Sequence, residues 1–319
     1  MAGKLNAEAT GIVTGARHLP AGVTVLERGW LSSNTVVLRG DDDVAIVDSG
    51  YCTHSGQTLA LVAAGAGGLP VATLVNTHLH SDHCGGNAAL QRQYPGVRTL
   101  IPPGLAAAVQ AWDEDALTYR PTGQQCPRFR FDDIVTPGSE IRLGALEWEV
   151  HAAPGHDPHS VILFERGSRT LISADALWER GFGVVFPELE GVHAFDEVAA
   201  TLDLIEQLRP SVVVPGHGPV FSDLNAALKV ARGRLSAYRA DPVRHATHAA
   251  KVLVKFKLLE WQEIGLAALL QWADGTPYLR TLQERYFANC AWTEWLESVV
   301  ADLVRAGAAS VDAETVRNT

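Results

Sequence analysis

Four potential metal ligands lie close together in the first third of the sequence. His78, His80, Asp82 and His83 fall within six residues, and imidazole is the commonest metal ligand in proteins. The apolar run 71–75 before them predicts a buried strand, and a helical pattern follows the two glycines after them. Residues two apart in an extended segment point the same way, so His78 and His80 can bind one ion. The other two donors can reach a second point nearby, and the spacing therefore suits two adjacent ions.

Three further donors lie at similar places in the rest of the sequence. His156, Asp175 and His217 each follow an apolar run that predicts a strand. Each donor therefore lies just past the carboxyl end of a strand, as the first four donors do. Three coincidences of this kind are difficult to obtain by chance, so we expect these residues to complete the metal site.

The order of the donors resembles the pattern of the metallo-β-lactamase superfamily. The segment Thr77-His-Leu-His-Ser-Asp-His83 and the three later donors match that pattern completely, and the resemblance extends over roughly residues 20–223. It implies an α/β fold, the αββα sandwich, in which two strand-rich layers lie inside and helices lie outside. It also implies that Asp48 supports the metal-binding loop from behind.

The resemblance divides the seven donors between two metal ions. They are His78, His80 and His156 for the first ion, Asp82, His83 and His217 for the second, and Asp175 as a bridge together with a water or hydroxide. We expect zinc, although histidine and carboxylate donors also accept iron and manganese. Two such ions about 3.5–4 Å apart lower the pKa of a bound water towards about 7 and polarise a carbonyl or phosphoryl oxygen. Asp82 is then the catalytic residue, because it would orient the hydroxide and pass its proton to the leaving group.

The reaction that the resemblance implies is the hydrolysis of a thioester, an ester or a lactone, similar to that of glyoxalase II or the lactonases. Asp175 stands where the main zinc class of lactamases has cysteine, so hydrolysis of antibiotics is not favoured. His80 stands where flavodiiron oxygen reductases have glutamate, which weakens that interpretation. A phosphodiesterase or nuclease is an alternative. So are a persulfide dioxygenase with a single iron and a non-enzymatic metal-dependent binding protein.

Two segments are candidates for binding the substrate. The segment 112–130 is irregular and contains aromatic and arginine side chains, among them Tyr119 and Arg120. Long loops in compact domains are often functional lids, and arginine suits a carboxylate or a phosphate. The apolar run 181–187 follows the bridging donor, and Phe182 or Phe186 is expected to form a wall of the substrate cleft. The alternatives are solvated arginines on a surface loop and phenylalanines in the core.

The composition argues against some classes of partner. The chain has 319 residues, and 36 acidic against 26 basic side chains give a formal net charge of −10, which argues against nucleic acid. No apolar stretch is long enough to cross a bilayer, and the first ten residues lack the apolar segment of a secretory signal. The four cysteines have no metal or disulfide spacing, which favours free thiols in a reducing cytosol. We therefore expect a cytoplasmic protein that acts on a small-molecule substrate.

The sequence pattern changes near residue 223, and this change predicts two domains. Residues 1–223 would form the catalytic domain, and residues 224–319, which show helical periodicity, would form a helical C-terminal domain. Some members of the superfamily carry a helical or winged-helix domain here that covers the active site or makes a dimer contact, so a homodimer is one expectation. His245 and His248 lie in this region and are not expected to be metal ligands.

Overall fold

Seven strands form the first sheet of the computed structural model, which describes residues 11–14 and 19–319. The first ten residues, for which the sequence predicts no secretory signal, lie outside the described residues. The strands lie side by side in the order of the sequence. They are β1 (Gly11–Thr14), β2 (Val23–Glu27), β3 (Thr35–Arg39), β4 (Val44–Val47), β5 (Val71–Val75), β6 (Arg98–Ile101) and β7 (Asp133–Ile134).

The direction of the strands changes at β4. Strands β1 to β4 are antiparallel, whereas β4 to β7 are parallel. Parallel neighbours require crossover connections. The helices in these connections are α1 (Ser55–Ala66), α2 (Ser81–Cys84), α3 (Asn87–Gln93) and α4 (Ala106–Ala111). The metal-binding motif therefore lies where a parallel strand turns into its crossover.

The second sheet has five strands in the order β12-β11-β10-β9-β8. Their ranges are β8 (Glu140–Leu143), β9 (Leu146–Ala152), β10 (Val161–Glu165), β11 (Thr170–Ala174) and β12 (Val212–Pro215). Along β9, Trp148 and Val150 are buried while the alternate residues are more exposed, which is the pattern of a strand with one face on the core. β11 and β12 are parallel and buried throughout, so the donors that follow them leave the sheet at the same end.

The two sheets pack face to face around an apolar core. Val25, Val47 and Val75 of the first sheet belong to the same cluster as Trp148 and Leu163 of the second. Burial of each such side chain contributes about 1.5–3 kcal/mol relative to leaving it exposed. The outer face of the first sheet is covered by α1 and α3.

Two further helices cover the outer face of the second sheet. They are α6 (Phe195–Leu208), which follows the single-turn helix α5 (Phe186–Leu189), and α7 (Leu224–Ala240). Leu202 and Ile205 of α6 and Ala231 and Leu235 of α7 share one cluster with residues of β10 to β12. Helices thus lie on both sides of two packed sheets, which confirms the predicted αββα sandwich.

The C-terminal region has a core of its own and contains a small sheet beside its helices. The elements are α8 (Pro242–Trp261), β13 (Glu263–Gly265), α9 (Leu266–Asp274), α10 (Pro277–Tyr286), α11 (Trp292–Arg305), β14 (Ala309–Asp312) and β15 (Thr315–Asn318). The three strands are antiparallel, with β15 in the middle. The region is mainly helical, as predicted, and its strands of three or four residues are too short to show a period of two in the sequence.

The boundary predicted at residue 223 and the homodimer stay predictions. The core of the C-terminal region includes Val184 and Leu189, which precede α6. A smaller cluster joins Phe256 and Leu259 of α8 to Tyr51, which follows β4. The C-terminal region therefore packs directly beside the strand ends that carry the donors.

Two sequence expectations concern the described chain as a whole. Between residues 19 and 319, no helix is long and apolar enough to cross a membrane. The four cysteines carry free thiols, as the lack of a disulfide spacing predicts.

Candidate metal centre

The loop after β5 carries the first four donors, and Asp48 supports it from behind. Asp48 follows β4 and is buried. Its Oδ1 accepts a hydrogen bond from the backbone N–H of Thr77 at 2.9 Å, and its Oδ2 accepts one from the Thr77 hydroxyl at 2.7 Å. The same Oδ2 lies 2.8 Å from Nδ1 of His83. This confirms the role predicted for Asp48, because a carboxylate on Nδ1 leaves Nε2 of the imidazole free to bind a metal.

A buried network of amides holds the base of the same loop. The Asn87 side chain donates to Oδ1 of Asn76 at 2.6 Å and accepts from the Ser49 hydroxyl at 2.7 Å. Asn76 and Ser49 each donate as well to the carbonyl oxygen of His83, at 3.2 and 3.1 Å. Because buried polar groups are costly when unpaired, this network ties the loop to the end of one strand and the start of the next helix.

Two glycines let the backbone approach the later donors. A Cβ atom at Gly216 would clash with Oδ1 of Asp175, and one at Gly183 would clash with Nδ1 of His156. The carbonyl oxygen of Val184 lies 2.5 Å from the same Nδ1. Nδ1 therefore donates to the backbone, and Nε2 of His156 is left facing the other donors.

The structure brings all seven predicted donors together. The ligand atoms within each of three groups lie within 4.8 Å of one another, and these groups are His78 with His80 and His156, His78 with His83 and Asp175, and Asp82 with His83 and His217. The first and third groups, which we call the two triads, are the ligand sets that the resemblance implies.

Asp175 lies between the two triads. Its Oδ1 is 3.4 Å from Nε2 of His83, and its Oδ2 is 3.4 Å from Nε2 of His156 and 3.8 Å from Nε2 of His217. Trp178 donates from Nε1 to Oδ1 of Asp175 at 3.1 Å. The carboxylate of Asp175 therefore faces donors of both triads.

The chemistry of the donor set fits a metal site. Nε2 of His78 and Nε2 of His83 are buried and make no hydrogen bond within the described residues, and a buried polar atom without a partner costs about 1–3 kcal/mol. Both atoms point to the region between the triads, where a metal ion would satisfy them. The histidine and aspartate clusters therefore fit a metal-binding function.

Burial keeps two histidines of the first triad, His78 and His80, neutral. Burial and the nearby imidazole of His83 hold the pKa of His78 well below its usual value. Burial and the nearby imidazole of His156 lower the pKa of His80 to about 4. Neutral imidazole is the form that binds a metal, so His78 and His80 need no deprotonation at neutral pH.

The second triad is dominated by negative charge. Burial raises the pKa of Asp175, but His217 and His83 lower it more, and it lies well below its usual value. For Asp82 the balance is similar, with burial opposed by His83 and His217, and its pKa is lowered. Burial lowers the pKa of His83, yet the carboxylates of Asp175 and Asp48 raise it well above its usual value. The surroundings of His83 therefore favour a bound cation.

A cleft of about 550 Å³ opens over the donors, a size typical of small-molecule sites. Phe186 forms one wall, with its ring centre 5.3 Å from that of His80. Val252, Leu253 and Phe256 of α8 line the same cleft. The C-terminal region therefore supplies part of the apolar wall beside the first triad.

Two tryptophans form a second wall beside His217. The ring of Trp30 stacks on that of His217, with centres 5.4 Å apart and planes inclined by 6°, and the ring of Trp178 lies edge-on 5.2 Å from Trp30. Trp30 is 56% exposed. An exposed aromatic face next to a metal ligand offers a contact surface for a flat or apolar part of a substrate.

The predicted wall residues have different environments. Phe186 lines the cleft, but Phe182 is 2% exposed and packs in the core with Tyr238 of α7. The interpretation of Phe182 as a wall residue is therefore corrected, because α7 covers that side of the segment 181–187.

The segment 112–130 borders the cleft, although not through the two residues expected. Tyr119 is 1% exposed, and its hydroxyl donates to the carbonyl oxygen of Leu79 at 3.1 Å. Arg120 forms an ion pair with Asp115 on the surface, away from the cleft. The residues of this segment that do line the cleft are Thr118, Thr122 and Gln124. Tyr119 and Arg120 are thus corrected to a buried support of the metal-binding loop and a surface residue.

The lining residues that the sequence did not indicate as binding residues include Trp30, Trp178, Arg234 and His248. Trp178 lies three residues after Asp175, and that proximity is a signal which the sequence offered. The other three lie far from any donor in the chain. His245 and His248 belong to none of the three groups of potential metal ligands among the described residues.

An αββα sandwich with two triads of histidine or aspartate donors near the ends of its strands defines a class of metal-binding proteins. The chain belongs to the metallo-β-lactamase superfamily, whose family model matches residues 28–217. The matched segment contains all seven donors and ends on the last of them.

Comparisons with individual proteins agree with this placement. A hydroxyacylglutathione hydrolase from Anaeromyxobacter dehalogenans (strain 2CP-C) is 35% identical over 150 residues, which are 47% of this chain and 48% of the relative. The chain spans about half the length of the curated relatives that it matches.

Two solved structures resemble the whole fold. A metallo-β-lactamase family protein from Thermus thermophilus is 17% identical with a TM-score of 0.55, over 93% of this chain and 99% of that one. A β-lactamase domain protein from Burkholderia ambifaria is 20% identical with a TM-score of 0.54, over 96% and 94%. At these identities the likeness concerns the fold alone, and it includes the C-terminal region.

Proposed function

We propose that the chain is a metal-dependent hydrolase that cleaves a thioester, an ester or a lactone, and that its seven donors would hold two metal ions. The observation that carries the proposal is the position of Asp175, whose two oxygens face His83 and His156 from opposite triads. The apolar cleft over the triads supports a substrate with an acyl or aromatic part.

The residues that would hold the ions are those of the two triads together with Asp175. When bound, two such ions supply a hydroxide at neutral pH and polarise the carbonyl oxygen of the substrate. We expect the bound ions to be zinc, and iron or manganese would suit the same donors. The chain itself then needs no nucleophilic side chain.

Asp82 is the residue that we assign to proton transfer. It lines the cleft, and its Oδ2 lies 3.1 Å from Nε2 of His217. Its pKa is lowered, because His83 and His217 outweigh the effect of burial, so the carboxylate is ionised and can accept a proton. Passing that proton to the leaving group completes the hydrolysis.

The cleft walls position the substrate. Phe186 and Val184 lie beside the first triad and exclude water from that side. Trp30 covers His217 of the second triad. An acyl chain against the first wall would leave its carbonyl carbon over the region between the triads, where the hydroxide is needed.

Metal content and turnover measured on the same preparation test the proposal. We expect about two metal equivalents per chain and turnover of at least one class in a panel of thioesters, esters, lactones and phosphodiesters. His80→Ala, which removes a ligand of the first triad, is the control for contaminating activity.

Other outcomes would favour the alternatives. One iron per chain without a second site, together with oxygen uptake on a persulfide, would favour the dioxygenase. Turnover of phosphodiesters alone would favour a phosphodiesterase, and no turnover by protein loaded with two metal equivalents would count against an enzyme.

A further inference from the structure

A second cavity of about 390 Å³ lies between α7 and α8 and adjoins the cleft. Arg234 and His248 line both spaces. On α8, Arg244 lies four residues before His248, and His248 lies three residues before Lys251. The three side chains therefore share one face of that helix. The opposite side is formed by one face of α7, which includes Tyr238. We call this space the α7–α8 groove.

The groove is positively charged in a chain that is acidic as a whole. Arg234, Arg244 and Lys251 line it, and among residues 19–319 no carboxylate does, although the formal net charge of the chain is −10. Lys251 has an acidic neighbour, Asp302, at 3.9 Å. Within the described residues, neither arginine forms an ion pair, and the Arg234 guanidinium donates to the carbonyl oxygen of Phe182 at 3.4 Å.

Other arginines on α7 are neutralised. Arg232 pairs with Asp203 and Glu206 of α6, and Arg239 pairs with Asp196. The contrast shows that α6 supplies carboxylates to the arginines on its side of α7, whereas the arginines of the groove have no carboxylate partner among the described residues. Guanidinium groups left open beside a substrate cleft suit an oxyanion, which they bind through paired N–H donors.

We propose that the α7–α8 groove binds the phosphate groups of a thiol leaving group, while the acyl part of the same thioester lies in the apolar cleft. The assignment rests on the proposed hydrolase function. Three cations at one place suit a leaving group that carries several phosphate charges better than they suit one that carries a single carboxylate. The shared lining residues make the two spaces continuous, so one molecule can occupy both.

The reaction balances with water as the only co-reactant. The hydroxide oxygen forms a bond to the thioester carbonyl carbon, the carbon–sulfur bond breaks, and the thiolate receives the proton held by Asp82. The products are a carboxylic acid and a phosphate-bearing thiol. The groove takes no part in these bonds, so its effect is on substrate binding and on the choice of leaving group.

The test compares one acyl group on three thiols. The thiols are N-acetylcysteamine, which is neutral, glutathione, which carries carboxylates, and coenzyme A, which carries phosphates. We expect kcat/KM to be highest for the coenzyme A thioester and to fall with added salt for that substrate, because salt screens charge pairs at a partly exposed site.

A double variant, Arg244→Ala with Lys251→Ala, tests whether the preference for the coenzyme A thioester comes from the α7–α8 groove. It should lower kcat/KM for the coenzyme A thioester by about tenfold or more, as the loss of hydrogen bonds to a charged group predicts. It should leave the neutral thioester and the metal content unchanged. Lys229→Ala, which removes an exposed lysine of α7 outside the groove, is the matched control and should leave kcat/KM unchanged for both thioesters.

The outcomes separate the two proposals. Three results would overturn the groove assignment alone. They are turnover of the neutral thioester without a preference for coenzyme A, a preference for the glutathione thioester, and equal losses of kcat/KM on all substrates in the double variant. Failure of metal-loaded protein to cleave any of the three thioesters would overturn the thioester hydrolase, and the groove assignment with it.

Discussion

Replacing Asp48 by asparagine tests how the loop holds its metal ligands. Asp48 is buried, and its Oδ2 accepts from the Thr77 hydroxyl and lies 2.8 Å from Nδ1 of His83. An asparagine keeps the shape and one acceptor oxygen, but its NH₂ group would face the N–H of His83, donor against donor. A hydrogen bond to a charged acceptor contributes about 1.5–3 kcal/mol. That free energy agrees with the loss of about 10–100-fold in metal affinity that follows removal of a carboxylate hydrogen-bonded to a metal-binding histidine.

The assay is competition for zinc against a chelator of known affinity. We expect Asp48→Asn to bind the ion of the second triad about 10–100-fold more weakly, while the first triad keeps most of its affinity. Circular dichroism on the same samples shows whether the fold is intact. The matched control is Asp41→Asn, which makes the same change of charge in the exposed turn between β3 and β4. Equal zinc affinity at both sites in Asp48→Asn and the wild type would refute the role of Asp48.

Three further predictions use stability and turnover. Asp82→Asn should lower turnover by about a hundredfold or more with little change in Tm at saturating metal, and near-normal turnover would contradict its role. Phe186→Ala should weaken apolar acyl substrates by about 1–3 kcal/mol relative to small polar ones, whereas Phe182→Ala should lower the free energy of unfolding by about 3–5 kcal/mol; denaturant unfolding and paired substrates distinguish the two. Burial lowers the pKa of His245 to about 3, below its unfolded value of about 6.5, so stability is lost as the pH falls through that window. Between pH 7 and 5 the loss from this residue is about 2 kcal/mol, and His245→Gln should show a smaller change of the unfolding midpoint over the same range.

The identities of the candidate metal ligands were open to sequence reasoning. Metal binding needs particular side chains, and those side chains come directly after apolar runs that form strands whatever packs around them. His156, Asp175 and His217 lie far apart in the chain, yet each follows the carboxyl end of a strand within four residues. Asp48 could be assigned for the same reason, since it ends the strand beside the one that leads to the first four donors.

The walls of the cleft were decided by tertiary structure. Phe182 and Phe186 lie four residues apart in an apolar run, and their sequence does not say that α7 covers one ring while the other faces His80. The stacking of Trp30 on His217 joins positions that are remote in sequence.

The contribution of the C-terminal region to the cleft was also decided by tertiary structure. The periodicity of α8 predicts a helix, but it does not predict that Phe256 packs against Tyr51 and thereby brings Arg244 and Lys251 beside the cleft. Local sequence determines which side chains can bind a metal, because that depends on residue type and on the adjacent strand. The shape and charge of the space over the metal depend on which distant surfaces pack together, and burial between them is non-directional and leaves no local pattern in the sequence.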